Sequence, residues 1–399
     1  MKGMSAAGVN SSFDHRDPRF WRLSIGLMLA SVFVFSNLYI VQPMLPILVN
    51  EFNVSPTESS LVFSVTTFSL LFSLLWFGFL SDRIGRLGIL NWSMALSVVP
   101  LFIIPNVESF YLLVFLRFLT GISIAGLPAV AVAYITEEVS PRSRGLAVTL
   151  YISSNGLGAM AGRIFGGYWS ENFTWHSSFY LLGTLGIIIA LLCVFLLPRS
   201  KNFVASDQSF KHDLKGMFVH LKNVKLIYAF IFGMMLQIGF SGIWVYTPFY
   251  LEGPPFYLSI QIISLFYLAY MMGIIGSPIA GKLADHFGYV RVMFSGLAIM
   301  LLGAMMTAIS SVVAIGIGLS VLCLGFFMAH SLTSSWVGMT AKHHKSGASS
   351  IYLFSYYIGS TIGGTGIGLI WTGIGWTGVV MVCVCLPLIS GVLFYKAVH

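Results

Sequence analysis

The sequence predicts an all-α integral membrane protein with twelve transmembrane helices in two pseudo-symmetric six-helix halves. Composition is the first reason. Of 399 residues, 57% are apolar and only 9% are charged, far below the ~25% charged residues of a soluble domain, so lipid has to cover the surface. The apolar runs are the second. They are ~20 residues long and continuous, whereas barrel strands would run ~10 residues and alternate; in hydrocarbon only helices or closed barrels satisfy their own backbone, and this pattern selects helices. The third is an internal repeat. Tyr151, Ser154, Gly158, Gly162, Gly167 and Trp175 recur as Tyr352, Ser355, Gly359, Gly363, Gly368 and Trp376, each 201 positions on. Gly78-x3-Asp82-x2-Gly85 recurs as Gly281-x3-Asp285-x2-Gly288, 203 positions on. A half-chain repeat in so apolar a protein marks a two-halved carrier that holds a small molecule between the halves and rocks one against the other.

The spans fall at 23–48, 59–80, 88–105, 109–135, 145–168, 177–197, 225–250, 259–280, 291–309, 312–338, 347–370 and 376–395, with breaks marked by Gly, Pro and charged residues. The longest polar stretch, Arg199 to Lys225, separates six spans from six. The chain thus divides into a tail (1–22), an N-terminal half (23–198), a central linker (199–224) and a C-terminal half (225–399). Placing the N-terminus in the cytoplasm puts 19 of the 21 Lys and Arg in cytoplasmic segments. These are Lys2, Arg16, Arg19, Arg22, Arg83, Arg86, Arg142, Arg144, Arg199, Lys201, Lys211, Lys215, Lys222, Lys225, Lys282, Arg291, Lys342, Lys345 and Lys396. The opposite loops carry Glu51, Glu58, Glu108, Glu171 and Glu252 and no basic residue. This positive-inside pattern requires an even number of spans and cytoplasmic termini. It also turns the net charge of +8 into a topology signal, and no nucleic-acid partner is expected. Cys193, Cys323, Cys383 and Cys385 lie in apolar runs without zinc spacing, so they read as packing residues. The first 22 residues are polar and the first apolar run is too long for an h-region, so no cleavable signal peptide is expected.

Between spans two and three stands Gly78-Phe79-Leu80-Ser81-Asp82-Arg83-Ile84-Gly85-Arg86. It resembles the signature loop of the major facilitator superfamily, G-x-L-x-D-R-x-G-R-[RK]; six residues match, and Leu87-Gly88 replaces the usual basic end. The copy Gly281-Lys282-Leu283-Ala284-Asp285-His286-Phe287-Gly288 holds the equivalent place in the second half. The resemblance covers essentially the whole chain and implies the fold of that superfamily. Gly78 suits close helix approach, and Gly85 suits a positive φ in a tight turn. Asp82 is expected near Gly347, where the N-terminus of span eleven would stabilise a carboxylate by ~0.3–1 kcal/mol. Arg83 and Arg86 can pair with acids or lipid phosphates. The resemblance implies a cytoplasmic gate latch that breaks on opening; the plain alternative, favoured for Arg86, is a charged turn that only fixes topology.

Arg117-Phe118-Leu119-Thr120-Gly121 resembles the superfamily's span-four motif R-x-x-x-G, which is linked there to proton coupling. Arg117 lies ~8 residues, or ~12 Å, from the outer end of its span. Either it faces the bundle interior or water, or it snorkels outward. Span five carries Gly158, Gly162, Gly166 and Gly167, matching the four glycines of the exporter motif G-x3-G-P-x2-G-G, with Arg163 in place of the proline. The glycines form a packing groove and by resemblance favour efflux. Arg163 contacts an anionic group or reaches the outer interface. In span eleven, packing suffices to explain Gly359, Gly363, Gly364 and Gly368.

A transport cavity needs a few polar groups among aromatic walls. The spans that line it in the superfamily offer Asn37, Tyr39 and Gln42; Tyr151 and Asn155; Gln237, Trp244 and Tyr246; His330, Ser331 and Trp336; and Tyr352, Tyr356 and Tyr357. Trp336, Trp244 and Tyr246 also fit an interfacial belt, and Asn155 and Gln237 also fit helix-to-helix hydrogen bonding. His330 changes charge near neutral pH and is either the coupling-proton carrier or a neutral structural histidine. No Asp or Glu lies well inside a span; Glu137 and Glu138 sit at the cytoplasmic end of span four. That absence leans toward neutral, zwitterionic or anionic cargo.

The resemblance is to the bacterial sugar-efflux and drug-efflux branch. It implies a monomeric, proton-driven exporter of a small molecule in the inner membrane, with the proton as coupling ion and no cofactor. The rival is a proton symporter importing a sugar or organic acid, against which the span-five glycines argue. An enzyme or receptor would need clustered His, Asp or Glu at ligand spacing or a soluble signalling domain. The sequence offers only His343-His344 beside Lys342 and Lys345, a solvated charge run, so no metal or catalytic residue is expected.

Overall fold

A computed structural model describes residues 12–206, 210–341, 343 and 345–398. Lys2, Lys342 and His344 lie outside the described residues, as do the side chains of Lys211, Lys215 and Lys345. Twelve helical spans follow in order. Span one is Pro18–Tyr39 continued by Leu45–Phe52, span two Pro56–Ile84 and span three Arg86–Ile103. Span four is Phe110–Ile124 with Gly126–Glu138, span five Pro141–Asn172 and span six Trp175–Leu196. A linker helix, Phe210–Phe218, precedes span seven, Val224–Glu252. Span eight is Ile260–Leu265, a 3-10 turn Phe266–Ala269 and Tyr270–Phe287; span nine is Tyr289–Met306 and span ten Val312–Thr340. Span eleven is Lys345–Thr361, a π turn Ile362–Gly366 and Gly368–Ile374; span twelve is Trp376–Val398.

The breaks have local causes. Span one ends at Tyr39 because Pro43 and Pro46 follow, and proline removes the N–H that a continuing helix would need. Span two starts on a capping box: the Ser55 hydroxyl accepts from Glu58 N while the Glu58 carboxylate accepts from Ser55 N. Ten of the helices are long and apolar enough to cross a membrane by length and composition alone. The spans missing from that set are five and eleven, the two glycine-rich repeat partners. Arg142, Arg144, Arg163 and Glu171 dilute the first, and the π turn interrupts the second.

Packing repeats with the sequence. Span one packs on spans five and six and span two on span four; span seven packs on spans eleven and twelve and span eight on span ten. The halves meet where span two runs along span eleven and span five along span eight. A Cβ at Gly158 or Gly162 would lie 2.6 Å from the Val32 carbonyl oxygen or 2.5 Å from Ser36 Cα in span one. At Gly359 and Gly363 it would lie 2.4 Å and 2.5 Å from the Met234 and Ile238 carbonyl oxygens in span seven. The same glycines thus seat the same neighbour in each half, as the repeat requires.

Two tethers on the basic face were not foreseen. Glu138, fully buried, accepts at one carboxylate oxygen from Ser200 Oγ (3.1 Å), Lys201 N (2.8 Å) and Asn202 N (3.0 Å), pinning the start of the linker. Ahead of span one, Phe13 N donates to Glu138 O (2.8 Å), Ser140 N donates to Phe13 O (2.9 Å), and Ser143 Oγ donates to Asp14. All four cysteines are free.

Candidate substrate pathway between the halves

A cavity of about 580 Å³ opens on the face that carries the basic loops. Its walls come from span two (Leu71 to Asp82), span four (Pro128, Ala129, Ala133), the linker helix and span eleven (Gly347 to Tyr357). Tyr357 stands ten residues beyond Gly347, about 15 Å along a helix, and marks the closed end. The linker helix leans over the mouth. Phe210 meets Phe79 and Trp76 of span two at ring distances of 4.7 and 6.0 Å, while Gly347 faces Gly216 and Met217.

The loop motif lies at this mouth and differs from expectation in three ways. Asp82 pairs with Arg86 of its own half, and the start of span eleven meets the linker helix instead. The expected Asp82 contact with span eleven is not made among the described residues. Arg86 is no mere topology marker. It is 8% exposed, its Nε and Nη2 donate to Glu137 Oε1 at 3.0 and 2.8 Å, and its Nη1 donates to Ser81 Oγ at 2.8 Å. Arg83 lies on the Phe79 ring, 3.4 Å from its centroid. Gly78, expected at a close helix approach, has open space where a Cβ would stand, as does its copy Gly281. Gly85 and its copy Gly288 do adopt positive φ, +102° and +90°, between their flanking helices. Tyr289 stands where Arg86 does, so Asp285 lacks the equivalent arginine.

Arg117 is fully buried and faces the interior, not the outer surface. Its Nη2 donates to Leu38 O (2.9 Å), its Nη1 to Asn37 O (3.1 Å) and Oδ1 (3.3 Å), and its Nε to Val62 O (3.4 Å). The first two carbonyls belong to the last turn of the broken span-one helix, which has lost its own donors. A cation at that negative helix end is favourable. Arg117 therefore caps the break. Gly121, one turn on, lets span four approach span two, where its Cβ would lie 2.2 Å from Thr66 O.

Arg163 is 2% exposed and turns inward, so it does not reach the outer interface. Its Nε donates to Gln42 Oε1 (2.5 Å) and its Nη1 to Ala159 O (2.7 Å). Its guanidinium carbon lies 3.7 Å from the Tyr39 ring centroid in span one, and 4.5 and 5.3 Å from Tyr270 and Tyr267 in span eight. The aromatic wall continues through the C-terminal half. Tyr270 meets Phe240 at 5.6 Å, Phe240 stacks on Phe326 at 3.8 Å, and Phe326 stacks on His330 at 5.5 Å. His330 lies 4.6 Å from the Tyr356 ring, and its Nδ1 is 2.9 Å from Tyr352 OH. The Tyr356 ring meets that of Tyr357 at 5.3 Å, which joins this chamber to the closed end of the cavity.

On the opposite, acidic face the halves are sealed by small polar contacts. Thr57 meets Thr372 (3.4 Å), Ser60 donates to Thr365 (3.1 Å) and Thr67 meets Thr361 (3.2 Å) between spans two and eleven. Glu171 accepts from Gln261 N (2.7 Å) and Asn172 donates to Gln261 Oε1 (3.0 Å) between spans five and eight. Gly167 and Gly368, another repeat pair, allow these seams. A Cβ there would lie 2.4 Å from Ser264 Cβ and 2.5 Å from the Thr57 side chain.

A family model described as Major Facilitator Superfamily matches residues 27–338 and 254–399. The chain belongs to the major facilitator superfamily. An uncharacterized transporter of Buchnera aphidicola from Schizaphis graminum is 38% identical over 86% of this chain and 83% of its own length. The inner membrane transport protein YnfM of Escherichia coli is 34% identical over 90% and 86%. The crystal structure of a bacterial homolog of the human lysosomal transporter Spinster, inward-facing and unoccupied, superposes with a TM-score of 0.81 over 96% of this chain and 98% of that one, at 12% identity. The chain is a multi-pass transporter of the major facilitator fold and not an enzyme.

Within this facilitator the predicted cavity residues fall into groups. Tyr39, Arg163, His330, Tyr352, Tyr356 and Tyr357 converge on the chamber. Asn37 and Gln42 serve the two arginines, Asn37 also donating to Ser97 O at 3.2 Å. Asn155 accepts from Ser31 of span one. Trp244 is buried against Tyr267 and Tyr270 at 4.9 Å each, and Tyr246 stacks on Trp371 at 5.6 Å; neither lies in an interfacial belt. Gln237 is buried, and its Oε1 has no hydrogen-bond partner among the described residues. Trp336 packs on Phe394 at 5.0 Å. Sequence reasoning missed Tyr267, Tyr270, Phe240 and Phe326. The first two are three residues apart, the spacing that shares a helix face, but span eight is not among the spans that line the cavity by resemblance to the superfamily.

Proposed function

We propose that this facilitator is a proton-driven exporter of a small molecule in a bacterial inner membrane, with its basic face in the cytoplasm. The observation that carries this reading is the one-sided pathway: a cavity open on the basic face and a seam of cross-half contacts on the other. That is one end state of an alternating-access cycle. Cargo enters from the cytoplasm, passes Tyr357 and meets the chamber. The halves then rock, the seams between spans two and eleven and spans five and eight part, and cargo leaves outside. Closure on the cytoplasmic side draws span eleven toward Asp82. A proton entering from outside reaches His330, whose bond to Tyr352 links spans ten and eleven, and resets the carrier. Arg117 supports this cycle by holding the broken end of span one.

The test is lumenal pH in proteoliposomes under an imposed pH gradient, with sugars, organic acids, siderophore-like anions and amphipathic drugs added in turn. Cargo-dependent proton flux opposite to cargo movement, lost in His330→Ala, is the expected result. Cargo movement indifferent to the gradient would overturn proton coupling, and flux in the same direction as cargo would make the protein a symporter.

A further inference from the structure

We propose that Arg163 is the anion-binding centre of this carrier, and that its cargo is an organic acid anion with a flat apolar body. The carboxylate would sit on the guanidinium and the body among the rings of spans one and eight; the proposal rests on the carrier reading above. Arg163 forms no ion pair with a carboxylate among the described residues. Two of its nitrogens are held by Gln42 and the Ala159 carbonyl, and the Tyr39 hydroxyl also lies within hydrogen-bonding reach of the guanidinium. The chamber reaches the closed end of the open cavity through Tyr356 and Tyr357, whose rings meet at 5.3 Å. A buried cation without a counter-ion is unfavourable. Here it is made tolerable by π faces, which stabilise a desolvated cation without neutralising it. The charge stays available.

The surroundings suit an anion. The hydroxyls of Tyr270 and Tyr356 make no hydrogen bond among the described residues and can donate to a carboxylate. The acids of this face, Glu51, Glu58, Glu108, Glu171 and Glu252, lie at span ends or in loops, beyond the chamber. Guanidinium is matched to carboxylate by its planar fork. Helix packing alone does not call for an arginine here: the equivalent position of the other half, 201 residues on, is Gly364, which simply lets Ser64 approach. A charge placed in only one of two repeat-related seams is what a polar cargo with one charged end requires.

The experiment uses the purified full chain with three isosteric probes: phenylacetate, phenylacetamide and 2-phenylethylamine. Binding is read by tryptophan fluorescence, since the Trp244 ring meets that of Tyr270 at 4.9 Å, and exchange by counterflow in proteoliposomes. Phenylacetate should bind at least about tenfold more tightly than its amide. Arg163→Gln should abolish that preference and Arg163→Lys keep part of it; the wild-type ratio itself needs no variant to fold. Equal binding of anion and amide, a preference that survives in Arg163→Gln, or no anion binding at all would overturn the assignment. Exchange of the amide or amine without the anion overturns it and leaves the carrier reading standing. Arg163-dependent anion binding without exchange of any probe supports it and counts against the carrier reading.

Discussion

Arg163 and Gly364 hold equivalent places in the two halves, 201 residues apart, and do opposite things to the seams between those halves. Gly364 lets span eleven close on span two; a Cβ there would lie 2.2 Å from Ser64 Oγ. Arg163 fills the other seam with a cation between Tyr39 and Tyr270. One seam is small and polar, the other aromatic and charged. The repeat supplied two similar halves, and this substitution makes them chemically unequal where they face each other.

Glycines within a half and glycines between halves should respond differently to bulk. Gly162→Leu drives a side chain into Ser36 backbone of the same half, so it should destabilise the protein by about 1–3 kcal/mol or more. Gly364→Leu meets the Ser64 and Phe63 side chains across the seam, and the halves can part to relieve it. We expect near-normal thermal stability in detergent for Gly364→Leu, with a cysteine at position 57 becoming more reactive to a bulky maleimide. Unchanged reactivity, or equal loss of stability in both variants, would refute the distinction.

Arg117→Ala removes the cap on span one and leaves the Asn37 and Leu38 carbonyls without that donor. Orphaned buried acceptors predict a loss of about 2–5 kcal/mol. Thermal unfolding monitored on the purified variant should show it, with Arg117→Lys recovering part. A fully stable Arg117→Ala that has lost only proton coupling would contradict the capping role.

Glu138→Gln weakens the charged acceptor that binds Ser200, Lys201 and Asn202. Hydrogen bonds to a charged group predict about 1–3 kcal/mol locally. Limited trypsin digestion should cut after Arg199 or Lys201 several-fold faster than in wild type. An unchanged cleavage rate would show that the linker is held elsewhere.

The tether ahead of span one should be pH-dependent. Asp14 is held below its ordinary 3.8 chiefly by the hydrogen bond from Ser143, with smaller contributions from His15. A carboxyl depressed in the folded state contributes stability that is complete above its unfolded value and is lost as pH falls through the folded one. Amide exchange of Phe13 and Ser140 should therefore lose protection below about pH 3.8, and Asp14→Asn should be unprotected at neutral pH already. Protection independent of pH and of this substitution would exclude Asp14 as the anchor.

The span count, the repeat and the positive φ of Gly85 could be read from residues because each follows from a local rule: lipid-length apolar runs, fixed spacing, a turn that disfavours a side chain. The partners of Arg117 and Arg163 could not. Each depends on which face of one helix meets which face of another, and a lone arginine in an apolar run reads alike whether it caps a break, enters an aromatic cage or snorkels. The break in span one was visible in Pro43 and Pro46, yet its consequence, two carbonyls needing a donor, appears only with span four beside it. The Asp82 pairing could not be read either, because which of several nearby cations it meets depends on tertiary packing; in this structure it is Arg86 of its own half.

The central claim is that the halves rock between this arrangement and its reverse. A disulfide between Thr57→Cys and Thr372→Cys, whose native hydroxyls lie 3.4 Å apart across the outer seam, tests it most directly through counterflow in proteoliposomes. The oxidised double variant should stop exchanging cargo while still binding it from the basic face, and reduction should restore exchange. Undiminished exchange by the locked protein would contradict the claim.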